Sequence, residues 1–140
     1  NTNSANIYMI PWPTGDTATI AFQTSGTVAA SGIAVFAMHG NISQSAAFSV
    51  ATSKVTAAAT ATFPVPSGAA VLGYSFTLGS AGARTNTWSG LTEVLDQTIA
   101  GSNQHSAAVS EFPTGSASLT VTDTPANTLS NMAALFAVFR

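Results

Sequence analysis

The chain has 140 residues, of which only 6% are charged, and a formal net charge of −2. This length fits one domain with a core of its own, and three widely separated cations (Lys54, Arg84 and Arg140) exclude a basic surface for nucleic acid. No apolar stretch approaches the roughly 20 residues of a membrane-spanning helix, and the absence of cysteine excludes disulfides, zinc-thiolate sites and a cysteine nucleophile.

The surface is expected to be neutral. Alanine, threonine, serine and glycine together make up more than half of the chain, so hydroxyls and small side chains must face the solvent. A small net charge gives little repulsion between copies. Such a surface suits a part that packs against neighbours or works outside the cell. The opening "NTNSAN" lacks an initiator methionine and a signal-peptide pattern, which suggests a processed chain or a piece of a longer one.

The N-terminal region predicts an arm followed by two strands. Asn1–Pro13, with aromatics between prolines, is expected to be an arm that reaches a neighbouring molecule. "TATIAFQT" (Thr17–Thr24) alternates apolar residues with threonines, which predicts a half-buried strand. "GIAVFAMHG" (Gly32–Gly40) is apolar on both faces. It predicts a central strand with one face on the core and the other under a neighbouring segment or chain.

Four further stretches predict strands. "ATATFPVP", "VLGYSFTLG" and "ASLTVTDTP" alternate large apolar residues with small or hydroxyl ones, and threonine favours a strand while keeping its outer face uncharged. "MAALFAVFR" (Met132–Arg140) is apolar on both faces and predicts a central strand at the C-terminus. Ala61, Phe63 and Val65 are expected to face inward. Leu72, Tyr74, Phe76 and Leu78 share one face of their strand against Gly73, Ser75 and Thr77, and Leu119 and Val121 share one face of theirs.

"WSGLTEVLDQ" (Trp88–Gln97) allows two interpretations. Trp88, Leu91, Val94 and Leu95 fit a helical phase, but the neighbouring sequence and the β-branched content favour a bent or bulged strand. Turn-forming clusters of Gly, Pro, Asn and Asp recur at short intervals along the whole chain. The sequence therefore predicts one all-β domain over residues 1–140, an antiparallel β-sandwich of eight to ten strands, and most simply a jelly roll.

The C-terminal two-thirds also carries a resemblance. "GIAVFAMHG", then "TWSGLTEVLDQ", then "HSAAVSEFPTGSASLTVTDTP" and a closing "MAALFAVFR" resemble β-sandwich domains of tailed-bacteriophage virion proteins and of large bacterial surface proteins. In those groups such domains serve as head decorations, spikes, fibres and adhesin modules. The resemblance implies a structural or attachment role and no catalytic residue.

Two of the five carboxylates, Glu93 and Asp96, lie three residues apart beside Trp88. They could form a catalytic pair, part of a metal site or a sugar platform, or they could be charges at a strand edge that block stray pairing. On a regular strand they point to opposite faces, which favours the edge interpretation. A calcium site would need carboxylates to meet in the fold, and no D-x-D loop indicates one. Its candidates are Asp16, Glu93, Asp96, Glu111 and Asp123.

The remaining candidates are histidines and aromatic rings. His39 and His105 lie in or beside polar turns, no G-x-S-x-G elbow accompanies them, and two imidazoles are too few for zinc. Trp12, Tyr74 and Trp88 could stack on a sugar, although large rings more often fill a core or an interface. Asn41-Ile42-Ser43 fits a glycosylation sequon, which matters only for a eukaryotic secretory origin.

The function expected from the sequence is structural. We expect a non-enzymatic component of a virus particle, without cofactor or metal, such as a capsid decoration, head spike or fibre domain. Its partners would be further copies of itself, as a trimer or higher oligomer, or capsid proteins, and its location the virion or the extracellular space. The alternative is a carbohydrate-binding or adhesin module, with contacts among Trp12, Tyr74, Trp88, Glu93 and Asp96. A small hydrolase is a third hypothesis that depends on Glu93.

Overall fold

The computed structural model describes residues 5–10, 17–28, 30–38, 48–55 (backbone only), 57–79, 85–99, 101, 103–126 and 131–140. These ranges hold eight strands. They are β1 (Phe48–Val55), β2 (Ala59–Val65), β3 (Ala69–Leu78), β4 (Asn86–Ser89), β5 (Thr92–Thr98), β6 (Gln104–Phe112), β7 (Ser116–Pro125) and β8 (Asn131–Phe139). In the same ranges there is no helix of the length and apolarity needed to cross a membrane.

The strands form two antiparallel sheets packed face to face. One sheet has five strands in the order β1-β8-β3-β6-β5, and the other has three in the order β2-β7-β4. The pairs are nested, since β1 joins β8, β2 joins β7 and β3 joins β6. Such nesting is the wrapped hairpin of a jelly roll. The predicted all-β antiparallel sandwich is therefore confirmed. Continued nesting would pair β4 with β5, but here β5 joins the larger sheet beside β6.

The space between the sheets holds the main core. Trp88 of β4 packs edge-on against Phe136 of β8, with ring centroids 6.0 Å apart, and the centroid of Phe63 of β2 lies 6.5 Å from that of Phe136. The strand β8 lies between β1 and β3 in the five-stranded sheet, and both of its faces are buried, with Phe136 in the main core and Phe139 in the cluster on the opposite face. This confirms the prediction for "MAALFAVFR". The inward placement of Phe63 and Val65 is confirmed as well, and Ala61 is half-buried.

The strand β3 differs from the simplest expectation. Its small and polar row, which includes Gly73, Ser75 and Thr77, faces the core between the sheets, and both hydroxyl residues are fully buried. A Cβ atom on Gly73 would lie 2.4 Å from the Trp88 ring, so the indole requires a residue without a side chain beneath it. The large row with Leu72 and Phe76 therefore lies on the opposite, outer face of the five-stranded sheet.

A second layer covers that outer face. Residues 5–10 and 30–38, here called the outer layer, run over it with alternate residues turned towards the sheet. Their inward side chains pack on a small cluster formed by Leu72, Ala137 and Phe139. The inward side chains are Ile7, Met9, Phe36 and Met38.

Two strand predictions in the N-terminal region are wrong. The described part of "GIAVFAMHG", residues 32–38, follows the outer face without joining a sheet, and the outward side of this stretch is open to solvent. Thr17–Thr24 is not a strand, and all of it except Thr24 is exposed. A strand needs a hydrogen-bonded neighbour as well as the right alternation, and the described ranges offer these segments none. Of the predicted arm Asn1–Pro13, the structure describes residues 5–10 only.

Candidate interaction surface

Trp88 lies at the point where the chain passes from one sheet to the other. Its strand β4 ends at Ser89, and Gly90 (φ 84°) turns the chain into β5. A Cβ on Gly90 would lie 2.4 Å from the Thr120 carbonyl oxygen, so glycine is required here for both its conformation and its size. The Trp88 indole N–H donates to Ser106 Oγ at 2.7 Å. The bent-strand interpretation of "WSGLTEVLDQ" is confirmed, and both Trp88 and Leu91 are buried.

A group of polar side chains surrounds this bend. It comprises Ser75, Asn86, Asp96, Gln104 and Asp123, and is called the polar cluster below. The Asn86 side-chain amide donates to both carboxylate oxygens of Asp123, at 2.8 and 2.9 Å, and lies 3.2 Å from Ser75 Oγ. These contacts join β3 of the large sheet to β4 and β7 of the small sheet.

Asp96 joins the polar cluster from β5. One of its carboxylate oxygens accepts the Asn86 backbone N–H at 3.1 Å, and the other accepts the Gln104 side-chain amide. The carbonyl oxygens of the Asn86 and Gln104 side chains are buried and have no hydrogen-bond partner. Both carboxylates of the cluster are therefore held by amide groups, and the cluster ties five strands together.

Glu93 and Asp96 do not diverge as a regular strand predicts. The pairing of β5 with β6 shifts between Glu93 and Leu95, which makes Val94 a bulge residue. Glu93 then lies opposite Ala108 and Asp96 opposite Ser106, two residues on the same face of β6. The extra residue changes the parity, so both carboxylates face the same side of the sheet. Their place on an edge strand agrees with the expectation.

Burial controls the electrostatics of this region. Asp123 is fully buried, and this raises its pKa to about 6 against the hydrogen bonds from Ser75 and Asn86. Partial desolvation and the neighbouring Asp96 raise the pKa of Glu93. The pKa of His105 is lowered by burial, against the attraction of Asp96. The His105 Nε2 atom lies 3.1 Å from Gln97 Oε1, so this imidazole is engaged by an amide.

The contacts of the polar cluster connect strands to one another. Asp96 and Asp123 bind amide groups of the protein itself, and Asp123 has no access to solvent. The described residues contain no group of three or more His, Asp or Glu side chains placed to hold a metal ion. Of the calcium candidates, Asp96 and Asp123 are brought to one cluster, with Glu93 near enough to raise the pKa of Asp123.

The aromatic candidates for sugar stacking are not exposed where they are described. Trp88 is buried between the sheets, and Tyr74 is half-buried on the outer face, where its hydroxyl donates to the Gly32 carbonyl at 3.1 Å. Burial raises the pKa of Tyr74 to about 12, so the hydroxyl keeps its proton. Trp12 lies outside the described residues, as do Asp16, His39 and the Asn41 sequon.

The exposed apolar side chains are concentrated elsewhere, in the N-terminal region. Eight large apolar side chains are exposed in the described ranges, and seven of them lie between Tyr8 and Val35. The outward row of the outer layer consists of Tyr8, Ile10, Ile33 and Val35, which are 79%, 72%, 51% and 60% exposed. The other three are Ile20, Phe22 and Val28, and the eighth is Val94 on β5.

This apolar surface carries no charge and has unused backbone groups. Residues 17–38 contain no Asp, Glu, Lys or Arg. Within the described ranges, the backbone of residues 5–10, 17–28 and 30–38 makes no hydrogen bond to another backbone group. Extended backbone of this kind is a template for pairing with another strand.

The surface continues onto β5 through a groove. Ile33, Val35 and Val94 line an open groove of about 400 Å³ together with Phe36, Leu95 and the polar pair Gln97 and His105. Because of the bulge in β5, the consecutive residues Val94 and Leu95 both line this groove. Gly32–Gly40 is apolar on both faces in the sequence, and in its described part, residues 32–38, one of these faces is turned towards the sheet. The other face, which carries Ile33 and Val35, is exposed to solvent.

Comparison of the chain with known protein families, with curated proteins and with solved structures gives no significant match. The function proposed below therefore rests on the residues of the chain itself.

Proposed function

We propose that the protein is a non-enzymatic structural component of a larger particle. The role that fits best is a capsid decoration, head spike or fibre domain of a bacteriophage virion, which acts by self-association or by binding capsid proteins. The observation that carries the proposal is the uncharged N-terminal region, in which seven large apolar side chains face the solvent. Exposed apolar patches mark interaction sites, and Ile33 and Val35 share one groove with Val94.

The physical argument rests on the cost of burial. An interface made of Tyr8, Ile10, Ile33 and Val35 buries apolar area at a gain of about 25 cal/mol per Å², and it need not remove a charge from water. Burying an unpaired charge would oppose association strongly. A chain with so few charges that exposes these side chains is thus suited to contact with neighbours.

The fold supports the proposal by analogy. Jelly rolls form many viral capsid domains, and they also form lectins and enzymes. A fold shared by so many functions identifies none of them by itself, so the virion assignment depends on the surface. The first partners that we propose are further copies of the chain, in a trimer or higher oligomer. Capsid proteins are the second partners that we propose.

The test is the mass of the native species. We expect the wild-type chain to form a trimer or higher oligomer at micromolar concentration in native mass spectrometry and light scattering. The double variant Ile33→Ser, Val35→Ser should be monomeric with an unchanged circular dichroism spectrum, because both side chains point away from the sheet.

A matched control is available on the other sheet. Thr60→Ser with Thr62→Ser changes two exposed positions of β2 and retains their hydroxyls, which pair with Thr122 and Thr120 at 3.0 and 2.9 Å. This control should keep the wild-type mass. A wild-type chain that is monomeric at every concentration and binds no particle would overturn the proposal.

A further inference from the structure

Thr17–Thr24 has a strand sequence without a strand partner. Ala18, Ile20 and Phe22 occupy alternate positions, with small or polar residues (Thr17, Thr19, Ala21 and Gln23) between and beside them, yet Ile20 is 47% exposed and Phe22 57% exposed. Residues 17–28 contain no proline and no charge. Proline, charge and shortness are the devices by which proteins protect an unpaired strand from association, and this segment carries none of them.

Residues 30–38 offer the complementary half. They are extended, their inward side chains are fixed on the large sheet by Phe36 and Met38, and Tyr74 holds Gly32 in place. Their backbone groups make no ladder within the described ranges. The acceptor is therefore anchored on the large sheet by its inward side chains, while residues 17–23 are all exposed.

The β5 edge is a poorer acceptor. It carries Glu93 and Asp96, and its bulge at Val94 interrupts the regular spacing of backbone groups. Charges and bulges both discourage edge pairing. Of the two unpaired edges near the groove, residues 30–38 are thus the one that an uncharged strand can join.

We propose that Thr17–Thr24 of one copy pairs as a β-strand with residues 30–38 of a second copy. The exchange supplies the missing backbone partner for both segments and brings Ile20 and Phe22 beside Ile33 and Val35. The partner is a second copy because the chain carries both segments, and within the described ranges no backbone hydrogen bond joins one to the other although only residues 25–29 separate them. A contact between two different patches closes into a ring when its rotation permits. This inference rests on the proposed self-association and names the contact that makes it.

The chain lacks cysteine, so single introduced thiols give a clean test. Ile20→Cys and Phe22→Cys are made as donor variants, and Ile33→Cys and Val35→Cys as acceptor variants that carry a mass tag. Each donor is mixed with each acceptor, incubated long enough for subunits to exchange, and oxidised gently. We expect at least one mixed pair to form a disulfide-linked heterodimer several-fold faster than Thr60→Cys mixed with Val35→Cys, because Thr60 is exposed on the other sheet.

The outcomes separate this inference from the proposed function. Heterodimers at the control rate in a protein that is still oligomeric would overturn the strand exchange and leave the self-association standing. A wild-type chain that is monomeric throughout would overturn both. The double variant Ile20→Cys, Val35→Cys is the last check. If it closes its disulfide within single chains and the mixed pairs do not react, the two segments form a hairpin in one copy and the exchange is wrong.

Discussion

The two faces of the large sheet are buried in different ways. On the inner face, Trp88, Phe136 and the polar cluster are enclosed by strands of the same chain, and the Trp88 N–H has a partner at 2.7 Å. On the outer face, the outer layer covers Leu72 and Phe139 but turns an equally apolar row to the solvent. The inner face shows that this sequence can enclose its own large side chains. The outer row is therefore the surface that we propose for contact with another molecule.

The largest expected effect is on the inner face, for Trp88→Ala. Removing the indole leaves a cavity over Gly73 and beside Phe136, and it leaves Ser106 Oγ without its donor. We expect the free energy of unfolding to fall by about 3–5 kcal/mol, measured by urea denaturation followed by circular dichroism.

The neighbouring Thr87→Ala is the matched control for this variant. Thr87 is exposed in the same strand β4, so its loss should change the free energy of unfolding by about 0.5 kcal/mol or less. Equal effects of the two substitutions would mean that the inner face is not the enclosed core described above.

The strand predictions from the sequence succeed in the sandwich and fail in the N-terminal region. Alternation predicted the strands that contain Phe63 and Val121, because each finds its partner strand inside the chain. It predicted a strand for Thr17–Thr24 as well, but alternation reports only which residues suit a strand and says nothing of whether a partner exists. The sequence thus located most strands of the sandwich, missed β1 (Phe48–Val55) and overcounted the strands of the N-terminal region.

Three features of the site had no signal in the sequence. Alternation separates two faces without saying which is inward, so the burial of Ser75 and Thr77 opposite Trp88 could not be read from it. The bulge at Val94 reverses the parity of Glu93 and Asp96, and nothing in "LTEVLDQ" marks the inserted residue. The joining of Asp123 to Asn86 spans 37 positions and depends on the packing of the two sheets.

The second expected effect concerns pH and Asp123. Its pKa is raised from 3.8 to about 6 in the folded chain, so folding favours the protonated carboxyl. The resulting stability is fully present below the unfolded pKa and is lost as the pH rises through about 6. Between about pH 5 and about pH 7.5, we expect the free energy of unfolding to fall by about 1–2 kcal/mol from this group.

Comparison with Asp123→Asn isolates this contribution. Asp96 and Glu93 raise the pKa of Asp123, and the lowered pKa of His105 acts in the opposite sense, since its stability is lost as the pH falls through its unfolded value of 6.5. These groups remain in the variant, so the difference between the two pH profiles reports Asp123. Urea midpoints measured across this range should converge towards low pH, and parallel profiles would show that Asp123 does not titrate there.

The smallest expected effect is at the attachment of the outer layer to the sheet, for Tyr74→Phe. The Tyr74 hydroxyl gives the one side-chain hydrogen bond between the outer layer and the sandwich in the described ranges, at 3.1 Å from the Gly32 oxygen. Its net contribution should be about 0.5–1.5 kcal/mol. Because the sandwich below is enclosed, the loss should appear as local opening of residues 30–38 and not as global unfolding. Limited proteolysis in this segment should accelerate by roughly fivefold in the monomeric background Ile33→Ser, Val35→Ser.

Tyr8→Phe is the matched control, because Tyr8 is 79% exposed and its substitution should leave the cleavage rate unchanged. Equal cleavage rates in the two variants would show that apolar contacts alone hold the outer layer on the sheet.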